Sequence, residues 1–232
     1  MGTILEMNTR KNCLAVMALL FGLGACGTES QGPGAQVAQN VKSLLQFGPK
    51  LPLPGPDELL TRDVIDQVTV PYAMVGIERR GAYASMTLAG QNANYNSWVT
   101  SDGAGVVLQG ELLTGTKGLG ADLATADLGG LQGLIATGSG VTTRIHSYLN
   151  GEGRSFQITY DCTISQNGDE DVTIIGKTYA TRVVAETCVS NQETFENRYW
   201  IGKSDGIMWQ SRQWVSADVG HVLLLSLVPV AR

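Results

Sequence analysis

The chain has 232 residues, with 16 lysines and arginines against 21 aspartates and glutamates and a net charge of −5. That balance offers no electrostatic footprint for nucleic acid or for anionic lipid headgroups. Charged residues make up only 16% and there are 29 glycines, which points to turns and short strands rather than long solvated helices.

The first 26 residues decide where the chain works. The run 14–26 lies behind Arg10 and Lys11, is apolar, and closes on small residues and Cys26, the layout of a secretory signal peptide. It is too short to span a bilayer, which takes about 20 apolar residues. Leu23-Gly24-Ala25-Cys26 resembles the bacterial lipobox, with Gly24 where Ser, Ala, Thr or Val is usual. The resemblance implies cleavage before Cys26 and a lipid on its sulfur. By resemblance to enterobacterial lipoproteins, Gly27 in place of Asp after the cysteine implies release to the outer membrane. Removing residues 1–25 leaves 207, near −6 in charge, enough for one large domain or two small ones. No long apolar segment follows, so the lipid is the membrane attachment; one acyl chain binds marginally and two or more hold.

Residues 27–35 are small and polar, a flexible tether. The segment 35–45 has Val37, Val41, Leu44 and Leu45 at helical spacing. Pro49, Pro52, Pro54 and Pro56 then stiffen a linker that cannot be helix or central strand. Thr61 is an N-cap for a helix over 62–68, with Val64, Ile65 and Val68 as its apolar stripe, ended by Pro71.

From Tyr72 the period changes to that of strands. Segments 73–80 and 82–88 join through Gly81, and 97–100 and 106–108 flank the turn Ser101-Asp102-Gly103. Leu112 and Leu113 continue the pattern. Segment 121–134 reads as irregular with a short helical turn. In 155–165, Phe156, Ile158, Tyr160, Cys162 and Ile164 alternate with polar residues, which puts Cys162 on the buried face. Asn167-Gly168 is a turn signal, so 172–185 is expected to return antiparallel. Three more strands follow over 195–201, 207–215 and 221–228, the first two joined by Ser204-Asp205-Gly206. This second aromatic–turn–strand unit repeats the one at Trp98, and internal duplication and chance recurrence both account for it.

Cys13 leaves with the signal peptide and Cys26 takes lipid, so Cys162 and Cys188 remain as a pair in an oxidising compartment. A disulfide between them would restrict the unfolded chain by about 3.5 kcal/mol. A hairpin turning at Asn167-Gly168 sets residue 162 opposite about 175, so Cys188 would have to arrive on a third segment or through a bulge.

Few residues suggest chemistry. His146 and His221 stand without a surrounding motif, and no GxSxG, HExxH or Walker sequence is present. Gly118-Leu-Gly-Ala-Asp has too few glycines for a dinucleotide loop. Asp169-Glu170-Asp171 could hold calcium, but beside Asn-Gly it reads as a solvated hairpin tip. A pair of carboxylates for glycoside hydrolysis is a spatial arrangement that the sequence does not select. The aromatic stretch 207–215 is sharper. Trp209 and Trp214 are an odd number of residues apart and fall on opposite faces of a regular strand. Two packings are open. Both rings can lie inside, with Arg212 over Trp214 as a cation–π contact. Alternatively Trp214, Arg212 and Gln210 form a surface that stacks against sugar rings or a partner chain.

Phe195-Glu-Asn-Arg-Tyr-Trp-Ile, then Gly206-Ile-Met-Trp-Gln-Ser-Arg-Gln-Trp-Val-Ser and Gly220, resemble the YjbF/GfcB lipoproteins. Trp98-Val-Thr-Ser-Asp-Gly, Leu113-Thr-Gly-Thr-Lys-Gly-Leu-Gly-Ala-Asp-Leu, Glu186-Thr-Cys188 and the lipobox fit as well. Ala217 stands where that family usually has Pro. The resemblance covers most of 61–228 and implies a β-rich periplasmic domain tied to exopolysaccharide and group 4 capsule production, with no established catalytic residues to carry over. The expectation is therefore a mainly β chain, an antiparallel open barrel or sandwich with short N-terminal helices. Its parts are a signal peptide (1–25), a lipidated N-terminus with linker (26–60) and the β domain (61–232). It would be anchored on the periplasmic face of the outer membrane and support polysaccharide assembly or secretion without catalysis, cofactor or metal. Its partners would be polysaccharide or export proteins, not nucleic acid. A carrier of lipid or lipid-linked glycan, which needs an apolar hollow, and a polysaccharide-modifying enzyme, which needs convergent polar groups, are the alternatives.

Overall fold

The structure, a computed structural model, describes residues 55–231. The signal run, Cys26, the helix expected over 35–45 and the linker prolines before Pro56 lie outside the described residues. Two one-turn helices come first, α1 (Pro56–Leu59) and α2 (Arg62–Ile65). Pro56 opens α1 rather than stiffening a linker, because a proline at the first helical position gives up an N–H that has no partner anyway. Thr61 precedes α2 without a side-chain capping bond, and of the expected stripe only Ile65 is buried.

Twelve strands follow: β1 (Tyr72–Ile77), β2 (Ala82–Asn92), β3 (Tyr95–Val99), β4 (Gly105–Gln109), β5 (Leu112–Lys117), β6 (Leu123–Asp127), β7 (Gly140–Leu149), β8 (Ser155–Ile174), β9 (Lys177–Val189), β10 (Thr194–Gly202), β11 (Met208–Ser216) and β12 (Gly220–Val228). A short helix, α3 (Leu131–Thr137), stands between β6 and β7. The segment 121–134 is thus strand followed by helix, not irregular. Sequence neighbours pair antiparallel at every step except β5–β6, and β1 pairs with β12, so one sheet runs β5-β4-β3-β2-β1-β12-β11-β10-β9-β8-β7-β6. It curls into a nearly closed up-and-down barrel whose two edges, β5 and β6, are consecutive in the chain. Near their connecting loop the edges meet through a side chain, Leu123 N–H donating to Thr116 Oγ1 at 2.9 Å. Asp122 fixes that loop by accepting from the N–H groups of Gly118 and Leu119.

Alternation sorts the side chains into two apolar clusters. The interior holds residues such as Val75, Met86, Trp98, Val106, Leu113, Tyr160, Val184, Tyr199, Val215 and Val222. A second cluster on the outer face gathers Met74, Val183, Trp200, Trp209, Leu225 and Leu227, covered by Leu60 and Ile65 from the helical segment. Trp209 is stacked on Tyr179 there at 3.8 Å, its Nε1–H donating to Asp205.

The longest hairpin corrects the turn expected at 167–168. The chain turns at Ile175-Gly176, and Asn167-Gly168 is a bulge inside β8, with Gln166 opposite Val184 and Asp169 opposite Arg182. Gly168 supplies the positive φ, +79°, that such a bulge uses. One extra residue reverses which side chains face inward. Ile158, Tyr160, Cys162 and Ile164 point into the barrel, whereas Val172 and Ile174, of the same parity, join the outer cluster. The later turn also sets Cys162 directly opposite Cys188, so the pair meets within one hairpin rather than through a third segment. Their sulfurs are bonded and the Cα atoms are 4.1 Å apart. Replacing both cysteines by alanine should lower unfolding free energy by about 3 kcal/mol, given the 26-residue separation. Urea unfolding with and without reductant checks this: reductant should shift the wild type and leave the variant unmoved.

Candidate functional site: the barrel mouth

In a meander, successive turns alternate between the two ends. The β2–β3, β4–β5 and β10–β11 turns, the start of β1 and the chain's last residues share one end. That end opens into a cavity of about 930 Å³, at the large end of the range for ligand sites, roughly 300–1,000 Å³. Its floor is the barrel interior: Met86, Trp98, Leu108, Ile201, Met208 and Leu224. Its rim is rich in amides, Gln91, Asn94, Asn96, Gln109 and Gln132. Gln91 Nε2 donates to Asn96 Oδ1 at 3.0 Å. Gln132 comes from α3, which also presents Ile135 and Ala136. Arg182 holds α3 in place, Nη2 donating to the carbonyls of Ile135 (3.1 Å) and Ala136 (3.5 Å), where a cation also suits the helix C-terminus.

Beneath the floor lies a buried polar network that spans the barrel. Arg144 Nη1 donates to Glu186 Oε2 at 2.9 Å, and that carboxylate also accepts from Asn197 Nδ2 (2.7 Å) and Tyr199 Oη (2.6 Å). Arg144 Nη2 donates to the carbonyl of Leu113 at 3.0 Å, while Leu113 N–H donates to Gln213 Oε1 at 2.8 Å. Gln213 Nε2 reaches Ser211 Oγ, which lines the mouth. Burial alone would lower the Arg144 pKa, but Glu186 and the hydrogen bonds outweigh it and hold it above the ordinary value. Burial, with the Glu186 carboxylate beside it, raises that of Tyr199. These groups are fully enclosed and bond mainly to one another, with Arg144 Nε left without a hydrogen-bond partner, and they support the mouth from below.

Beyond the network the interior is filled by aromatic rings. His146 lies 5.0 Å from Tyr160 and 5.7 Å from Phe195, centroid to centroid. Tyr148 Oη donates to the Val215 carbonyl at 2.7 Å, so its oxygen accepts from His146 Nδ1–H at 3.0 Å. Burial, then the Arg144 charge, lowers the His146 pKa to about 2. His221 donates from Nε2 to the Glu196 carbonyl and is lowered to about 4, chiefly by burial. Both histidines are therefore neutral members of the packing, away from the mouth.

The aromatic surface foreseen from sequence has a definite place. Trp214 is half-buried towards the far end, stacked on Phe195 at 5.6 Å and edge-on to His221 at 5.0 Å. The backbone N–H of Trp214 donates to Asn197 Oδ1, so a side chain bridges β10 and β11 there. Arg212 is not laid over Trp214; it pairs with Glu78 at 2.8 Å and donates to the Glu196 carbonyl. Gln210 sits opposite Trp200 and Leu225 in the sheet. The three do not converge with the mouth. Asp169-Glu170-Asp171 lies within β8 rather than at a hairpin tip, Asp169 on Lys203 and Glu170 accepting from Trp200 Nε1.

A sequence profile described as the group 4 capsule polysaccharide lipoprotein GfcB, YjbF, matches residues 35–227. The chain belongs to the YjbF family. Its fold is similar to that in the crystal structure of the hypothetical lipoprotein YmcC from Escherichia coli K12, with a TM-score of 0.66 and 19% identity over 87% of this chain and 98% of that one. No curated protein matches it significantly. For this YjbF-family chain, the mouth residues and the network were missed because they are brought together across the barrel from five or more strands. A signal existed at Glu186 and Gln213. Each occupies an inward position, Glu186 between Val184 and Cys188 and Gln213 between Ser211 and Val215, where a polar residue needs a buried partner.

The buried neutral histidine makes a pH prediction. With its folded pKa near 2 and an unfolded value near 6.5, His146 binds its proton only on unfolding across that window. Its contribution is present above about pH 6.5 and is lost as pH falls, by about 1.4 kcal/mol per unit. His146→Phe, which keeps a ring in the cluster, should roughly halve the fall of urea-measured stability between pH 6 and about 4.5, because His221, lowered to about 4, supplies a similar slope there. An unchanged slope would remove His146 as the cause.

Proposed function

We propose that this YjbF-family lipoprotein is a non-catalytic polysaccharide-binding protein of the export apparatus, acylated at Cys26 and held on the periplasmic face of the outer membrane. The observation that carries the reading is the mouth itself, an apolar floor ringed by amides. Floor and rim match the two faces of a sugar, its C–H surface and its hydroxyls. The lining supports binding over hydrolysis: Glu111 is its one carboxylate among the described residues, whereas glycoside hydrolysis uses a pair. A cavity closed below by a buried, hydrogen-bonded network suits holding a segment of polymer, or presenting it to an export protein, rather than passing it through the barrel.

The apolar floor also favours a second reading, a carrier of lipid-linked glycan whose chain enters the barrel while its sugars meet the rim. Trp214, Arg212 and Gln210 remain a rival contact surface for glycan or partner.

Two variants separate these sites. Gln132→Trp adds a large ring at an exposed rim position of α3 and should lower surface polysaccharide while abundance and melting temperature hold. Trp214→Ala should instead destabilise by about 3 kcal/mol if its ring serves packing, or cut output at unchanged stability if it is the contact surface. Normal polysaccharide in stable Gln132→Trp cells would reject the mouth.

The anchor is tested independently. Cys26→Ser should abolish acyl labelling and leave the protein outside the outer-membrane fraction; retained labelling would move the acylation site elsewhere.

A further inference from the structure

Resting on the reading of the mouth as a glycan site, we infer that it recognises an uncharged, hydroxyl-rich stretch of saccharide through the side-chain amides of Asn94, Gln109 and Gln132. Few charges line this cavity among the described residues. The charged residues lining it are Glu111, Arg182 and Lys203. Lys203 Nζ is 2.5 Å from Asp169. Arg182 stands directly opposite the same Asp169 in the β8–β9 ladder and spends Nη2 on the carbonyls of α3, while its enclosed Nη1 has no hydrogen-bond partner. Asp169 thus stands beside both cations, paired with one of them. An anionic sugar would have to displace Asp169 from Lys203, or uncover the enclosed Nη1 of Arg182, to gain an ion pair.

The amides are differently placed. The side chains of Asn94, Gln109 and Gln132 make no hydrogen bond to another described residue, although all three border the cavity. They come from three separate elements: the β2–β3 turn, the end of β4 and α3. An amide offers an acceptor and two donors side by side, which matches hydroxyls that both donate and accept. A carboxylate or phosphate would use only the donors and leave three carbonyl oxygens facing an anion. Gln91 and Asn96, bonded to each other, fix the neighbouring part of the rim. The floor takes the C–H face of the same sugars.

The test is titration of the acylated full-length protein in a neutral detergent. The probe is oligosaccharide cut from the producing cell's own extracellular polysaccharide, used intact and after chemical reduction of any carboxyl groups. Affinity should change by less than about twofold between low and high salt, because no net ion pair forms. It should survive carboxyl reduction and Lys203→Gln. It should fall by about tenfold or more in the double variant Gln109→Ala/Gln132→Ala, two hydrogen-bonding groups being lost. Those positions are at the rim, so the fold should persist, checked by an unchanged melting temperature.

Steep weakening with salt, loss on carboxyl reduction, or competition by inorganic phosphate overturns the inference in favour of an anionic ligand, the last pointing to a lipid-linked phosphate. Full binding by the double variant overturns it as well. Failure of the parent reading looks different: no oligosaccharide binds, and Gln132→Trp cells make normal polysaccharide.

Discussion

The ion pair between Arg144 and Glu186 is the contact that lets this barrel stop short of closing. β5 and β6 are the edges of one sheet and are not joined by a ladder, so β5 turns backbone groups towards an unpaired side. At Leu113, which is fully buried, water cannot satisfy them. Leaving a buried peptide group without a partner costs about 1–3 kcal/mol. Arg144 takes the Leu113 carbonyl and Gln213 takes its N–H, so two side chains do there what a neighbouring strand would do. A guanidinium enclosed in the interior needs a counter-charge, which Glu186 supplies, with Asn197 and Tyr199 filling the remaining acceptor capacity. A buried pair adds little net stability against an apolar replacement, but removing one partner costs about 3–5 kcal/mol. Its value here is register: it fixes β5, β7, β9, β10 and β11 relative to one another across the seam.

The strands were legible where alternation and turn chemistry agree. β8 through residue 165, β10, β11 and β12 follow the period-2 pattern, and Ser101-Asp102-Gly103 and Ser204-Asp205-Gly206 sit at real turns. Legibility failed where one signal serves two purposes. Asn167-Gly168 has the composition of a hairpin turn and is used as a bulge, while the hairpin turns at Ile175-Gly176, where an isoleucine adopts φ +47°. A left-handed β-branched residue costs roughly 1–2 kcal/mol. Burial of the Ile175 side chain in the outer cluster offsets that cost, and burial depends on strands far away in sequence. β7 and β6 were hidden for a related reason. β7 turns Arg144 and His146 inward, so its pattern reads as polar, and β6 is a short edge.

The mouth was less legible than the fold. Its residues belong to turns, strand ends and α3, each an ordinary polar position beside its neighbours in sequence. Gln109 ends β4 and Gln132 lies in the first turn of α3, 23 positions on; only closure of the barrel brings them to one rim. Aromatic content drew attention to 207–215 instead, and there the structure uses most of what it finds for packing. Trp209 seals the outer cluster under the helical segment, and Trp214 fills the space where Asn197 bridges β10 and β11.

The two ends of the barrel therefore divide the work. At the far end, rings of His146, Tyr148, Tyr160, Phe195 and Trp214 fill the interior, and the Cys162–Cys188 bond ties β8 to β9 beside them. That end is dense, its rings packed on one another, and the hollow lies at the opposite end. The mouth carries the opposite chemistry, apolar below, amide above, with Lys203 paired to Asp169 at its side. On the reading proposed above, a ligand arriving there would exchange water on amides and apolar floor for contact without disturbing the network beneath or the packing beyond it. Rigidity at one end is thus what allows the other to stay hollow. A barrel open at both ends would need a second network to hold its seam, and Leu113 has side-chain partners for only one.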